Sequence, residues 1–450
     1  MPTGSIQLTK AARKYLERHA EPEAKLAGAL AELGAPYEAV VVIPAYAEYD
    51  LLLRTLASLP GSGRGKPLVV LVVNQRDACP DWASEVNRKL LETLRTGPGN
   101  ERPPHSLGPH VEWLVTSGFD MVLIDRSSPG RRLPARQGVG LARKIGADFA
   151  LALWAAGGCT SPWIHCTDAD VTLPEDYFDR AMANETQPAT TAALLFDFRH
   201  LSGDGPDHDS AILQYEIYLR YYVLGLRSAG SPYAFHSIGS TLAIHANAYA
   251  QVRGFPRREA AEDFHLLAKL AKVGAVRSLR GSPILISGRR SERVPFGTGH
   301  AMLTANARAQ RGEAFPAHDP RSFGWLGVWL ATLASIARPA EQPSLPIAQQ
   351  LAFHADGTDT DPTRLARLLD SLGALEAAQK ALQNKGNTLQ SLNESFDALA
   401  TLRLIHALRD QIFPDLPLAL ALERAEFIDC DPKASLAEQR TRLAELEATA

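Results

Sequence analysis

The chain contains the stretch Trp163-Ile164-His165-Cys166-Thr167-Asp168-Ala169-Asp170, a short apolar strand that ends in two carboxylates one residue apart. Successive side chains of a strand point to opposite faces, so Asp168 and Asp170 are expected on one side at the strand's end. Two such carboxylates suit a hard divalent cation that also holds a phosphate. The alternative is a surface turn in which aspartate caps the next helix. Pro174 and a helix-like segment follow, and this setting favours the cation site.

Three earlier apolar runs have the same character and end at polar residues or proline. They are Ala39 to Ile43 before Pro44, Leu68 to Val73 before Asn74, and Met121 to Ile124 before Asp125. Continuous rather than alternating apolar strands indicate a sheet that is covered on both faces and mostly parallel. Helical patterns between the runs predict a βαβ arrangement, and ligands of such sheets bind beyond the carboxyl ends of the strands.

Composition narrows the class of protein. The chain has 450 residues, 45% apolar content and a net charge of −3, which predicts a globular catalytic domain with an appendage and no nucleic-acid partner. Its four cysteines show no CxxC spacing, and neither a signal peptide nor an apolar run of membrane-spanning length is visible. We therefore expect a cytoplasmic protein without a transmembrane segment.

The predicted organisation has three parts: an N-terminal helical segment (1–36), an α/β domain (37–310) and a helical C-terminal extension (311–450). Asp361-Pro362 predicts a helix start, with aspartate as N-cap and proline in the first turn. Leucine, phenylalanine and isoleucine recur at helical spacing from Leu392 to Ile412. These helices are expected to pack on the main domain or on a second subunit, which would make a homodimer.

Four segments together resemble the family 2 glycosyltransferases, and their order and spacing carry the resemblance over roughly residues 38–300. They are Val41-Val42-Ile43-Pro44-Ala45-Tyr46-Ala47-Glu48; Gly140-Leu141-Ala142-Arg143-Lys144-Ile145-Gly146; Thr167-Asp168-Ala169-Asp170; and Ile238-Gly239-Ser240-Thr241-Leu242-Ala243-Ile244 with Gly254-Phe255-Pro256 and Ala261-Glu262-Asp263-Phe264. The family often has Asn where this chain has Ala47, and Asp where it has Asn74.

The resemblance implies a nucleotide-binding GT-A (Rossmann-like) α/β domain and transfer of a sugar from a nucleotide-diphosphate sugar to an acceptor hydroxyl. UDP-sugar is the favoured donor and GDP-mannose the alternative. Residues expected at the nucleotide sugar are Pro44, Ala45, Tyr46, Glu48, Asn74, Asp125, Arg143, Asp168, Arg289 and Arg293. Tyr46, Glu48 and Asn74 would border the base and ribose.

The metal site is expected to hold Mg²⁺ or Mn²⁺ through Asp170, with Asp168 on the ribose or bound through water. A Lewis acid there would offset the charge that develops on the leaving diphosphate. GT-A enzymes often complete this site with a late histidine, and His300 matches best; His236 is a weaker choice. His165 is expected to be packed on the opposite face.

The resemblance assigns the general base to Asp263 of the Glu262-Asp263 pair, which implies a single displacement with inversion at the anomeric carbon. The alternative is a favourable charge in the first turn of a helix. Arg289, Arg290 and Arg293 precede a glycine-rich stretch and predict either a mobile loop that closes over the diphosphate or a solvated basic turn. Arg143 and Lys144 either face the phosphates or lie on the solvent side.

Three other functions fit the pattern less well. One is a retaining GT-A enzyme that glycosylates a small acid such as glycerate or phosphoglycerate, which the arginines at 289–293 would also suit. Another is a sugar-nucleotide pyrophosphorylase, disfavoured because no glycine-rich basic loop follows the first strand. The last is a non-catalytic binding protein on a decayed transferase. The acceptor stays open between a sugar, a sugar acid and a lipid-linked molecule.

Overall fold

A computed structural model describes residues 8–61, 65–184, 191–201, 205–289, 298–337, 346–383 and 388–449. The described residues fall into two compact units. The first holds the residues up to 201 together with 237–287, and the second holds 205–236, 288–289 and 298–449.

The strands of the described residues are numbered in chain order. They are β1 (Val40–Ala45), β2 (Leu68–Asn74), β3 (His105–Gly108), β4 (Val111–Val115), β5 (Asp120–Arg126), β6 (Trp163–Cys166), β7 (Val171–Thr172), β8 (Thr191–Leu201), β9 (Leu242–His245), β10 (Ala275–Ser287), β11 (Pro316–Ala317) and β12 (Leu416–Pro417).

The helices are numbered in the same way. They are α1 (Lys10–Arg18), α2 (Ala27–Ala31), α3 (Asp50–Ala57), α4 (Asp81–Thr96), α5 (Val139–Ala155), α6 (Tyr177–Met182), α7 (Pro206–Ser228), α8 (Ala246–Gln251), α9 (Glu262–Leu270), α10 (Thr298–Gln310), α11 (Arg321–Ile336), α12 (Ile347–Ala355), α13 (Pro362–Ser371), α14 (Ala374–Leu382), α15 (Thr388–Ser395), α16 (Ala398–Gln411), α17 (Leu418–Arg424) and α18 (Leu436–Thr449), with short 3₁₀ helices at Pro22–Leu26 and Gly239–Thr241.

The first unit is built on one sheet whose described strands lie in the order β3-β4-β5-β2-β1-β6-β9-β8-β10-β7. Its centre, β5-β2-β1-β6, is parallel throughout, whereas β4, β9 and β7 each pair antiparallel with a neighbour. Every residue of β1 and β2 is buried, as their uninterrupted apolar sequences predict. The predicted α/β class with a helical C-terminal part is confirmed.

The structure differs from the sequence-based prediction at several elements. The proline- and glycine-rich stretch 96–110, where no apolar run indicates a strand, contains β3, and β4 follows it directly. The N-terminal segment is three pieces rather than one helix, because Pro22 lacks the amide hydrogen that a continuous helix needs there. The periodic run from Leu392 to Ile412 is likewise split, since Asp397 caps α16 through the amides of Leu399 and Ala400.

Helix α5 packs closely on the parallel strands. A Cβ atom at Gly146 would lie 2.4 Å from Cγ1 of Val42, so the helix can approach β1 this closely only without a side chain at that position. Lys144 faces neither phosphates nor solvent: its Nζ donates to Oδ2 of Asp148 (2.6 Å) and to the hydroxyl of Tyr15 (2.5 Å). These buried contacts attach α1 to α5.

The second unit is helical apart from the short β11–β12 pair. Its core forms around α11, whose Trp325 and Trp329 are buried with Leu404 and Leu408 of α16. Asp361 caps α13 through the amides of Thr363 and Arg364, with a proline in the first turn, as predicted. Among the described helices, none is both long enough and apolar enough to cross a membrane.

Candidate functional site

The candidate site lies at one edge of the sheet in the first unit. The parallel strands β1, β2, β5 and β6 end at Ala45, Asn74, Arg126 and Cys166, and parallel strands direct their carboxyl ends to the same edge. The segments that leave this edge carry most of the residues that the sequence analysis selected.

The turn after β1 is fixed by a buried asparagine that the sequence analysis missed. Asn87 of α4 accepts a hydrogen bond from the amide of Ala47 (3.0 Å) and donates to the carbonyl of Asn74 (3.2 Å). Asn74 in turn donates through Nδ2 to the carbonyl of Ala45 (3.1 Å). The ends of β1 and β2 are therefore joined through side-chain amides, and Glu48 is buried beside them.

A sequence signal for Asn87 did exist. The buried residues of α4 are Ala83, Asn87, Leu90 and Leu91, so the asparagine lies on the apolar face of an amphipathic helix. A polar side chain on such a face must find hydrogen bonds inside the protein. Here those partners are the two turns of the site.

Asp125, predicted at the nucleotide, organises the turn after β5. Its Oδ1 accepts from the amides of Ser127 (3.1 Å) and Ser128 (3.0 Å), and its Oδ2 accepts from Arg131 (3.0 Å). Burial alone would raise the pKa of this carboxyl, but the hydrogen bonds from Ser128 and Ser127 outweigh burial and lower it. Both oxygens are engaged within the chain, and a nucleotide contact stays a prediction.

Arg143 joins carboxylates of two different segments into one cluster. Its Nε donates to Oε1 of Glu262 (2.8 Å), and its NH2 pairs with Oδ1 of Asp168. The guanidinium is 3% exposed, and its NH1 has no hydrogen-bond partner among the described residues. Two of its nitrogens bind carboxylates and NH1 is buried, and the predicted contact of Arg143 with phosphates stays a prediction.

Two backbone features complete the cluster. A Cβ atom at Gly239 would lie 2.6 Å from NH2 of Arg143 and 3.2 Å from Oδ2 of Asp263, so only glycine leaves both side chains where they are. Thr167 donates through its hydroxyl to the carbonyl of Ser240 (2.9 Å), which fixes the end of β6 beside this glycine. The predicted segments at 167–170, 238–244 and 261–264 are thereby brought together around Arg143.

Burial and mutual repulsion perturb the Glu262-Asp263 pair. Burial, followed by the negative charge of Glu262, raises the pKa of Asp263 from 3.8 to about 7, although Arg143 acts in the opposite direction. Burial is also the main reason that the pKa of Glu262 is raised. The preceding residue, Ala261, is held in the left-handed region at φ 59° and begins α9 with the carboxylates in its first turn.

The residues at the end of β6 fit a divalent cation. Asp168 has a side chain that is 36% exposed, Asp170 is half-buried, and the three carboxylates around Arg143 outnumber its single positive charge. Mg²⁺ is usually held by one or two carboxylates together with substrate phosphates, so this donor set is sufficient once a diphosphate is bound. Within the described ranges, no three His, Cys, Asp or Glu side chains by themselves form a metal-binding group.

The structure leaves one predicted residue and one predicted side chain undescribed and assigns two other predicted residues to the second unit. Arg293 falls outside the described residues, and only the backbone of His300, in the first turn of α10, is described. Arg289 is half-buried in the second unit, where His236 hydrogen-bonds Oε1 of Glu447 at 2.7 Å. His165 is fully buried and packs against the rings of nearby aromatic residues, as expected of a packed histidine.

Comparison with known proteins finds no matching family model and no matching curated protein. Among solved structures, the chain is similar to S. aureus TarS 1-349 in complex with UDP-GlcNAc, with 15% identity, a TM-score of 0.37 and coverage of 83% of this chain and 92% of that one. It is also similar to the mannosyltransferase PcManGT from Pyrobaculum calidifontis in complex with GDP-Man and Mn²⁺, with 21% identity, a TM-score of 0.35 and coverage of 87% and 98%.

Proposed function

We propose that the chain is a metal-dependent glycosyltransferase that moves a sugar from a nucleotide-diphosphate sugar to an acceptor hydroxyl, with inversion at the anomeric carbon. UDP-sugar is the favoured donor and GDP-mannose the alternative. The observation that carries this proposal is the cluster at the end of β6, in which Arg143 joins Asp168 to Glu262 beside Asp263. It combines a site for a cation and diphosphate with a candidate base.

Asp263 suits the role of general base. A base works best when its pKa lies near the working pH, and burial beside Glu262 brings the pKa of Asp263 to about 7. As the acceptor oxygen bonds to the anomeric carbon, its proton passes to Asp263 and the bond from that carbon to the diphosphate oxygen breaks. The nucleoside diphosphate leaves with the electron pair. One displacement of this kind inverts the configuration.

Arg143 and Glu262 position the reacting groups. The guanidinium holds Asp168 near the diphosphate end of the site and Glu262 next to the base. A divalent cation bound by Asp170, with Asp168 beside it, would supply Lewis-acid stabilisation of the leaving diphosphate. Because Asp170 is the expected ligand and is half-buried, its replacement by alanine tests cation binding.

The first experiment measures the thermal shift caused by UDP, GDP, ADP and their common sugar conjugates with Mn²⁺, Mg²⁺ or EDTA. A ligand that binds only the folded protein raises the melting temperature by mass action. We expect one nucleotide to give a metal-dependent shift that Asp170→Ala abolishes. The matched control is Asp179→Ala, an exposed carboxylate in α6, which should keep the shift.

A protein that shifts with no nucleotide under any metal condition would contradict the proposal and favour a binding protein on a decayed transferase. If a shift occurs, NMR of the product's anomeric carbon separates inversion from retention. Retention would contradict the role given to Asp263 while leaving the donor site in place.

A further inference from the structure

Three loops interlock beside the candidate site. The loop after β2 and the loop after β5 form a short backbone ladder, in which the amide of Leu133 donates to the carbonyl of Gln75 (2.8 Å) and the amide of Asp77 donates to the carbonyl of Leu133 (3.1 Å). NH1 of Arg76 bonds Oε1 of Glu259 (3.0 Å), which attaches the loop before α9. All three loops belong to the first unit.

The loop after β5 also touches the loop before α9 directly. A Cβ atom at Gly138 would lie 3.2 Å from Cα of Glu259, and the amide of Gly140 donates to the carbonyl of Arg258 (3.1 Å). Residues 75–80, 127–138 and 256–261 therefore form one continuous surface. It begins next to Asn74 and ends two residues before Asp263.

This surface is strongly basic in a chain whose net charge is −3. Its three segments contain six arginines but only two carboxylates, Asp77 and Glu259. The arginines are Arg76, Arg131, Arg132, Arg136, Arg257 and Arg258.

Some of these arginines are already paired. Arg131 binds Asp125, Arg257 binds Glu21 at 2.6 Å, and Arg76 binds Glu259. Arg136 and Arg258 are exposed, and their side chains form no hydrogen bond or ion pair with any described residue. We call Arg76, Arg136 and Arg258 the arginine rim. Arginine is well suited to carboxylate and phosphate oxygens, because its planar fork can bind two of them at once.

We propose that the arginine rim binds the anionic group of the acceptor, a phosphate or a carboxylate. This inference rests on the proposed transferase function and deepens it by assigning the chemical class of the acceptor. Two positions in the fold favour the acceptor over the donor diphosphate. Arg258 lies five residues before Asp263, beside which the acceptor hydroxyl has to lie, and Arg76 and Arg136 follow β2 and β5 rather than β6.

The position of the loop after β5 in the sheet gives its distance from the expected metal site. In the order β5-β2-β1-β6, the loop after β5 is separated from Asp168 by three strand spacings, which is about 14 Å. A diphosphate held at Asp168 and Asp170 would thus leave Arg136, on the loop after β5, without an anionic partner. An acceptor that carries its charge a few bonds from the attacked hydroxyl would reach Arg136 and Arg258.

The test measures binding of small anions in the absence of any nucleotide. Ligand-detected NMR gives the Kd of glycerol 3-phosphate, glycerate and uncharged glycerol for the full chain and for Arg136→Ala/Arg258→Ala. We expect the charged probes to bind better than glycerol and the double variant to weaken them about 10-fold, which two exposed charge contacts of about 0.7 kcal/mol each would give. Whichever charged probe binds more tightly tells phosphate from carboxylate.

Two control variants accompany this measurement. Arg136→Lys/Arg258→Lys keeps the charges and should retain most of the binding. Arg13→Ala removes an exposed arginine of α1 and should change nothing. Binding that is equal in the alanine double variant and the unchanged protein, or equal for glycerol and the anions, would overturn the assignment.

A parallel titration with the nucleotide selected by thermal shift separates donor from acceptor. The double variant should keep its nucleotide affinity; a loss as large as that for glycerol 3-phosphate would assign the rim to the donor and overturn the proposal. Failure of the transferase function itself has a different signature, since the nucleotide shift would be absent while anion binding at the rim persisted.

Discussion

Replacing Asp263 by asparagine should abolish transfer and at the same time make the protein more stable at alkaline pH. Asparagine keeps the side-chain oxygen that accepts from the amide of Phe264 (2.7 Å), but it carries no charge and takes up no proton. If Asp263 is the base, kcat/KM should fall about 10²- to 10⁴-fold. The acid limb of the unchanged enzyme's pH profile should rise through about pH 7, where Asp263 ionises.

The gain in stability follows from the raised pKa. The carboxyl of Asp263 ionises near 3.8 in the unfolded chain and near 7 in the folded one, so between these values the folded state binds more protons. The free energy of unfolding therefore falls as pH rises through this window; the contribution of protonated Asp263 is fully present below the lower value and lost above the upper one. Each pKa unit is worth about 1.4 kcal/mol, which sets an upper limit of about 4 kcal/mol.

Because Glu262 and Arg143 share this interaction, we expect about half of the limit to appear. Asp263→Asn should exceed the unchanged protein in free energy of unfolding by about 2 kcal/mol at pH 8.5, and by about 1 kcal/mol at pH 5.5. Urea unfolding at both pH values measures the difference, with Asp81→Asn, an exposed carboxylate in the first turn of α4, as control. A difference that does not grow with pH would refute the raised pKa, and unchanged activity would refute the base.

Two further predictions concern the surroundings of Asp263 and the turn after β1. Arg143→Met should lower the free energy of unfolding by about 3 to 5 kcal/mol, because buried Glu262 is left unpaired. Urea unfolding measures this loss, and the double variant Arg143→Met/Glu262→Gln should regain part of the lost stability. Equal losses in the single and the double variant would argue against the ion pair as the cause. Ala47→Asn should raise stability by about 0.5 to 1 kcal/mol because φ is 52° there, a value that asparagine adopts more readily than alanine. Calorimetric melting measures this change. The control is Ala57→Asn at the helical end of α3, which should lower the melting temperature slightly. A lower melting temperature for Ala47→Asn would contradict backbone strain at residue 47.

The parallel core of the sheet was predictable because its strands are apolar without interruption. The two strands that the sequence did not indicate lack this signal. No residue of β3 is buried, and β3 lies in a proline- and glycine-rich stretch. In β4, only Val111, Trp113 and Leu114 are buried. Their place in the sheet depends on pairing with β5, which is a long-range contact. Local sequence patterns do not encode such pairings.

The orientation of Arg143 and Lys144 was unpredictable for a different reason. Nearly the whole circumference of α5 is buried, so its sequence has no polar stripe from which a solvent side could be inferred. Arg143 faces Asp168 and Glu262, whereas Lys144 faces Asp148 and α1. Only the partners on other segments decide which of two adjacent cations belongs to the site.

Charge is divided along the edge of the sheet in a way that single motifs do not reveal. On the β6 side, Asp168, Glu262 and Asp263 lie around one buried arginine, and a divalent cation would offset their excess negative charge. At the arginine rim, Arg136 and Arg258 come from distant segments and have no carboxylate partner among the described residues. Because like charges repel, the divalent cation that accompanies the donor at the cluster around Arg143 and an anionic acceptor at the arginine rim would each offset an excess of the opposite sign. Asp263 follows Arg258 by five residues and lies beside Gly239 at the cluster around Arg143, which is where a base between two substrates has to lie.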